Sequence, residues 1–337
     1  MKDMLLKLAE ATGPSGSEDA VRELVKKELA GLAEDVRVDA MGNLLARTGP
    51  RGRASKGGHK VLLMAHLDEV GLVVTNVEKN GFLRFSPMGR LDPHVCLGQR
   101  IRFTGGALGV IDAEPVEKPG DLKMDKLFID IGAASEEEAR KTVRPGDMAA
   151  FDRAPAVLGH RVTGRAVGSR GAAAVLLQTL RGLRATPHEV LVAFTVQKEV
   201  GSRGARPAAF GVDPDLALVL DATATGDTPE ARRMEVSLGK GPAIKVQDQS
   251  GMAYPALRRA LAAAAEKAGK SVQYEVLETA GSELGVVQLS HGGIPASGLS
   301  IPTRYRFGPT EVVDVEDLEG AVAVLTQFLK DPVDLSF

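Results

Sequence analysis

KVLLMAH, residues Lys60–His66, is an unbroken apolar run that stops on an imidazole. A strand with one wet face alternates apolar and polar side chains, so a continuous run of this length reads as a strand buried on both faces, as at the centre of a parallel sheet. EVLVAFTVQ (189–197), DLALVLDATA (215–224) and GLSIPTRY (298–305) have the same texture. Parallel neighbours need crossover helices. The helical patterns GAAAVLLQTLRGL (171–183) and YPALRRALAAAAEKAG (254–269), with a last helix from about Asp317 to Leu329, supply them. The expected fold class is therefore α/β, a sheet with helices on both faces.

Upstream of Lys60, a first helix, a loop over Ala11–Ser15 and a second helix are expected. Val21, Leu24, Val25, Leu29 and Leu32 of the second follow helical spacing, with Ser15 and Glu18 as its capping box. VRVDAMGNLLAR (36–47) reads as a hairpin turning at Gly42-Asn43, and the basic, Gly-rich stretch 47–60 as a surface loop. Downstream the texture changes. GLVVTNV, GFLRFSP, QRIRFTG, LFIDIG and DMAAFD are short β-like runs broken by Gly, Pro and Asp. We expect an all-β insertion over 70–161 that splits the α/β domain into 1–69 and 162–337.

Composition excludes several classes. Net charge is -2, aromatics are 4% and Trp is absent, so neither a basic footprint nor a stacking platform for nucleic acid is present. No apolar stretch is long enough to span a bilayer. The first residues, MKDMLLKLAEATGPSGSED, lack a signal-peptide core, and a lone Cys96 cannot form an internal disulfide. A cytoplasmic protein is expected, without nucleic-acid or membrane partners.

In open α/β sheets ligands sit at the carboxyl ends of strands, which directs attention to His66, Glu199, Asp221 and the residues after Tyr305. Asp68, two residues after His66, is spaced to orient that imidazole. Acidic residues at buried strand ends are paired or bind something. The pentapeptide VGSRG occurs at 167–171 and again at 200–204, which places Arg170 and Arg203 near helix starts where an anion could be held.

ATGPSGSED, MGNLLAR, AHLDEVG, LGQRI, RPGDMAAFD, FTVQKEVGSRGA, DATATGDTP, GKGPAI and LSIPTRY, in this order, resemble the tetrahedral, or deblocking, glutamyl-type aminopeptidases. That resemblance implies a Zn-peptidase-like α/β core with a barrel or PDZ-like β insertion that makes subunit contacts. It also implies self-association, from dimers up to tetrahedral dodecamers, and two divalent metals, Zn or Co, that activate water. By resemblance His66, Glu199 and Asp221 stand at metal-ligand positions and Asp68 at the acid behind the histidine. Gly168 stands where the bridging Asp belongs, Lys198 at the general-base Glu and Phe307 at the last ligand His, while Ala280–Leu284 departs from a GGTDA-like motif. Arg306 replaces a residue that tends to be Met.

These changes do not depend on alignment register, since no Asp or Glu lies between Asp152 and Glu189 and the last His is His291. Relative to the family pattern the centre is about four charge units more positive, which raises the cost of a second divalent cation. No cofactor, or one weakly bound Zn or Co, is expected rather than a dinuclear centre, with Lys198 and Arg306 as internal cations. Three functions follow: a catalytically silent relative with a structural, regulatory or peptide-binding role, in which a hetero-oligomer with an active paralogue is one form; a mononuclear aminopeptidase; or an anion-binding protein.

Overall fold

A computed structural model describes residues 1–50, 58–231 and 233–336. Most of the basic stretch expected as a surface loop, 51–57, lies outside the described residues. Strand Lys60–His66 is buried at every position from Val61 onward and lies inside a nine-stranded sheet among the described residues. It pairs in parallel with strand Glu189–Thr195 on one side and strand Leu216–Thr223 on the other. Leu216–Thr223 pairs in parallel with Ala296–Pro302. Four consecutive parallel strands therefore carry the apolar runs that the sequence marks as buried.

Antiparallel strands extend both edges. The hairpin Glu34–Val38 and Leu44–Thr48 joins Glu189–Thr195, and its turn is held by the Asp39 carboxylate, which accepts from Met41 N and Asn43 N. On the other side Ala243–Asp248 pairs with Ala296–Pro302, and strands Gly251–Met252 and Gln273–Leu277 flank it. Helices Val167–Gly182, Val315–Lys330 and Pro255–Lys267 share one apolar core with one face of the sheet. Helix Ala205–Val212 and the short helix Leu284–Gln288 pack on the other. The α/β expectation with both faces covered holds.

Six antiparallel strands between Gly71 and Phe151 close into a barrel with its own core. One of them, Leu108–Ala113, was not legible in the sequence because its Gly-rich start masks the alternation. The chain returns through a small sheet of Ala156–Leu158, Arg161–Gly164 and Glu311–Asp314, which ties the segment after the barrel to the entry of the last helix. Cys96 is a buried free thiol inside the barrel. Among the described residues no helix is long and apolar enough to cross a membrane.

Two local expectations are corrected. Ser15 does not cap the second helix, Asp19–Glu28, whose N-cap is Glu18 without a side-chain cap bond. Ser15 Oγ instead donates to Asp68, 53 positions away, at 2.6 Å, and Glu18 accepts from Gly16 N and Gln197 N. Tertiary partners outcompete the local ones because both side chains are buried where the helix approaches the sheet edge. The second concerns Asp221, which does not end its strand; the ladder continues to Thr223.

Candidate functional site

The registers Thr195↔His66 and Leu220↔Ala65 set the carboxyl ends of three parallel strands side by side, so His66 and Asp221 project from neighbouring strands into one place. Lys198 and Glu199 follow Thr195 through a turn in which Gln197 has φ 55°. His66 Nε2 lies 3.3 Å from Asp221 Oδ1, and Nδ1 lies 3.2 Å from Asp68 Oδ1. Lys198 Nζ lies 3.1 Å from Asp221 Oδ2 and 3.5 Å from Glu199 Oε1. His66 and Asp221 are each 2% exposed and Lys198 is 7% exposed.

Asp68 is the organising carboxylate. It accepts from Ser15 Oγ, from Lys198 N at 2.9 Å and from Glu199 N at 2.8 Å. Burial opposes its charge, but the hydrogen bond and charge of His66 and the other donors hold it at about 2. Burial and Lys198 both push His66 down, yet the two carboxylates on its ring nitrogens override them and raise it to about 10. Burial likewise opposes the Lys198 ammonium, and Asp221 and Glu199 override it and raise its pKa further above the ordinary lysine value. Asp221 is driven well below the carboxylate range against the pull of burial, by Lys198 and His66. The buried charges thus offset one another from within the chain.

Gly168 and Phe307 meet on a third residue. Gly168 N donates to Glu311 Oε2 at 3.0 Å and Phe307 N to Glu311 Oε1 at 3.1 Å. Burial raises the Glu311 carboxyl to about 6. A Cβ at Gly168 would lie 2.7 Å from both Ala222 Cβ and Thr303 Oγ1. No side chain fits there without displacing packed neighbours. Phe307 has φ 65° and its ring faces the Arg306 guanidinium, 4.7 Å from Cζ to the ring centroid. Among the described residues no group of three or more His, Cys, Asp and Glu side chains is placed to hold a metal ion.

Several residues of this region escape a reading by motif. Glu283 sits in the altered Ala280–Leu284 segment and is fully buried. Its Oε1 accepts from Thr195 Oγ1 at 2.6 Å, while Oε2 has no partner. Burial raises it to about 7. Glu69 carries the pair Arg165 and Arg170, with Arg165 Nη1 2.6 Å from Glu69 Oε1. Arg170 is wholly buried and also donates to Leu67 O, so the first VGSRG arginine offers no solvent-facing donor to an anion. The second, Arg203, turns back onto Val200 O. Glu69 adjoins Asp68 in sequence and was the one available signal for that cluster.

The M42 glutamyl aminopeptidase family model matches residues 42–324. A relative from Acetivibrio thermocellus is 40% identical over 97% of this chain and 98% of its own length, and the lysyl aminopeptidase of Pyrococcus furiosus is 29% identical over 99% and 98%. Among solved structures, an aminopeptidase from the archaeon Desulfurococcus kamchatkensis superposes with a TM-score of 0.92 at 35% identity, covering 97% of this chain and 94% of that one. The Pyrococcus horikoshii TET1 peptidase, described as able to assemble into a tetrahedron or a large octahedral shell, gives 0.86 at 32%, covering 98% and 99%. With the family model spanning most of the chain and the fold shared along its whole length, this protein belongs to the M42 glutamyl aminopeptidases.

Proposed function

We propose that this protein is a catalytically silent aminopeptidase relative, retained for a structural, regulatory or peptide-binding role. One observation carries the reading: the Lys198 ammonium is seated between Asp221 and Glu199, at the carboxylates that the resemblance assigns to metal. The M42 enzymes are a metal-dependent family, and the residues present here do not fit a pair of divalent cations. Three carboxylates, Asp68, Asp221 and Glu199, are offset by His66 and Lys198 with Arg306 nearby. A dication added to that group would meet buried cations rather than free acids. The bridging position is Gly168, where packing leaves no room for a carboxylate. At the base position stands an ammonium that remains protonated at neutral pH and cannot accept a proton from water.

We place the protein in the cytoplasm, a reading supported by its single, buried thiol. Self-association is proposed from the tetrahedral and octahedral assemblies described for the TET1 peptidase. The subunit contacts are assigned to the insertion 70–161, with 1–69 and 162–337 forming the core.

The test is elemental analysis and peptidase assay of the purified full chain after incubation with Zn or Co. The expected result is less than one equivalent of bound metal and no cleavage of a panel of aminoacyl-anilides. Cleavage that His66→Ala abolishes would sink the proposal. One equivalent of Zn, lost in Asp221→Ala, would instead establish the mononuclear enzyme.

A further inference from the structure

Phe307 stands between two kinds of space. On one side a closed cavity of about 20 Å³ is lined by His66, Glu199, Asp221, Arg306, Phe307 and Glu311, room for about a single water. On the other, Phe307 lines two open cavities of about 540 and 430 Å³. Arg306 borders the closed cavity and the larger open one, and Glu199 the closed cavity and the smaller. His66 and Asp221 border neither open cavity. Phe307 and its backbone therefore partition these two side chains from space large enough for a ligand.

The segment that carries Phe307 is pinned at its stem. Arg304 N donates to Val312 O at 3.0 Å and Val312 N to Arg304 O at 3.1 Å, and the Arg304 guanidinium donates to Asp227 at 3.0 and 2.7 Å. Over 305–310 the hold is lighter. Among the described residues its hydrogen bonds are Gly308 N to Tyr305 O at 3.3 Å, within the segment, and Phe307 N to Glu311 Oε1. Across the gap the Phe307 ring also meets Arg90, 6.0 Å from Cζ to centroid. Tyr305 at φ 57° and Phe307 at φ 65° are left-handed without being glycine, a conformation that bulky residues keep only where something imposes it. Tyr305 is exposed, so core packing does not impose it there. Glu311 does so at Phe307: one carboxylate oxygen accepts from Phe307 N and the other from Gly168 N in helix Val167–Gly182.

We propose that 305–310 is a hinged strap that opens about the Arg304–Val312 stem and is latched shut by Glu311. Its opening joins the closed cavity to the outer two and bares His66 and Asp221. Arg306 travels with the strap. In the closed form its guanidinium favours the ionised carboxylates of Asp221 and Glu311 and opposes the Lys198 ammonium, so opening leaves the exposed pocket one positive charge poorer. The device is independent of whether the site turns over a substrate.

Ser169 is buried and lines the closed cavity, and the chain's one cysteine, Cys96, is buried in the barrel. Ser169→Cys therefore places a thiol behind the strap, with Cys96 as internal reference and exposed Leu289→Cys as the open limit. The full chain is treated with iodoacetamide under native conditions and each thiol is followed by peptide mass. The thiol at 169 should react at a rate between those two limits. Glu311→Gln, which offers one amide oxygen to two N–H groups, should speed it roughly tenfold or more, the worth of one charge-assisted hydrogen bond, while leaving Cys96 unchanged. Labelling as slow as Cys96, as fast as Leu289→Cys, or indifferent to Glu311→Gln overturns the proposal. If melting temperatures show a variant to be unfolded, hydrogen exchange of the unaltered chain decides. The amides of 305–310 and of Gly168 should then exchange together and faster than those of strand Ala296–Pro302, and protection equal to that strand's overturns the strap.

Discussion

A buried ammonium between two carboxylates is stable only while its partners remain. Lys198→Met would leave His66 as the one cationic side chain in direct contact with Asp221 and would leave Glu199 without its lysine, in a site that water barely reaches. Breaking a buried pair in this way costs about 3–5 kcal/mol, which urea denaturation at pH 7 should register as a lower midpoint at unchanged slope. A loss under 1 kcal/mol would mean the pairing contributes little. Placing an acid at Gly168, the position to which the resemblance assigns a bridging Asp, should fail for a different reason. Gly168→Ala already places a Cβ 2.7 Å from Ala222 Cβ and Thr303 Oγ1, an overpacking cost of about 1–3 kcal/mol. Gly168→Asp adds a buried charge. A melting temperature for Gly168→Ala at or above that of the parent protein contradicts the steric account. Glu283 gives a pH signature. Its carboxyl is raised to about 7 by burial, so the native state prefers it protonated. Its contribution is fully present below the unfolded value near 4.5 and is lost as pH rises through 7. Glu283→Gln should therefore flatten stability between pH 5 and 8 relative to the parent, as read by thermal melts across that range.

At the scale of elements, the parallel strands aim their carboxyl ends at one place, and the connections behind them are fastened by histidines. His188 Nδ1 accepts from His59 N at 3.0 Å, and its Nε2 lies 2.9 Å from Asp331 O beyond the last helix. His59 Nε2 lies 2.8 Å from Val333 O. Burial holds His188 below the usual histidine value. The native state thus favours the neutral ring, and stability from this group is present above the unfolded pKa near 6.5 and declines as pH falls through the lower folded value. His188→Asn should lose that acid-side slope while melting earlier at pH 7.5. An unchanged slope would show that the ring titrates freely.

Legibility in the sequence differed between elements for a physical reason. Lys60–His66, Glu189–Thr195, Leu216–Thr223 and Ala296–Pro302 are buried on both faces, so their composition announces them. Gln273–Leu277 and Glu311–Asp314 escaped because they are short and lie at the margins of their sheets, where nothing in the run itself demands a strand. Glu311 was missed for the same reason, although it joins Gly168 to Phe307.

For the whole molecule, the strand Ala156–Leu158 is exposed along its length, with Val157 49% and Leu158 60% accessible. An edge strand carrying such side chains invites pairing or burial against another chain. Light scattering or sedimentation should give a mass several times that of one chain, and Leu158→Glu should shift the population to smaller species. A monomer at micromolar concentration removes the self-association proposal.

By itself the sequence determined which strands are buried and that a β-rich segment interrupts them, since these depend on composition and period. Only the tertiary structure decided what the side chains gathered at the strand ends do to one another. Whether Lys198 reaches Asp221, whether Gly168 has room for a side chain and whether Arg306 has a partner depend on distances between residues far apart in the chain. Those distances are set by how the parallel strands align and by what packs over their ends, information that no local window contains.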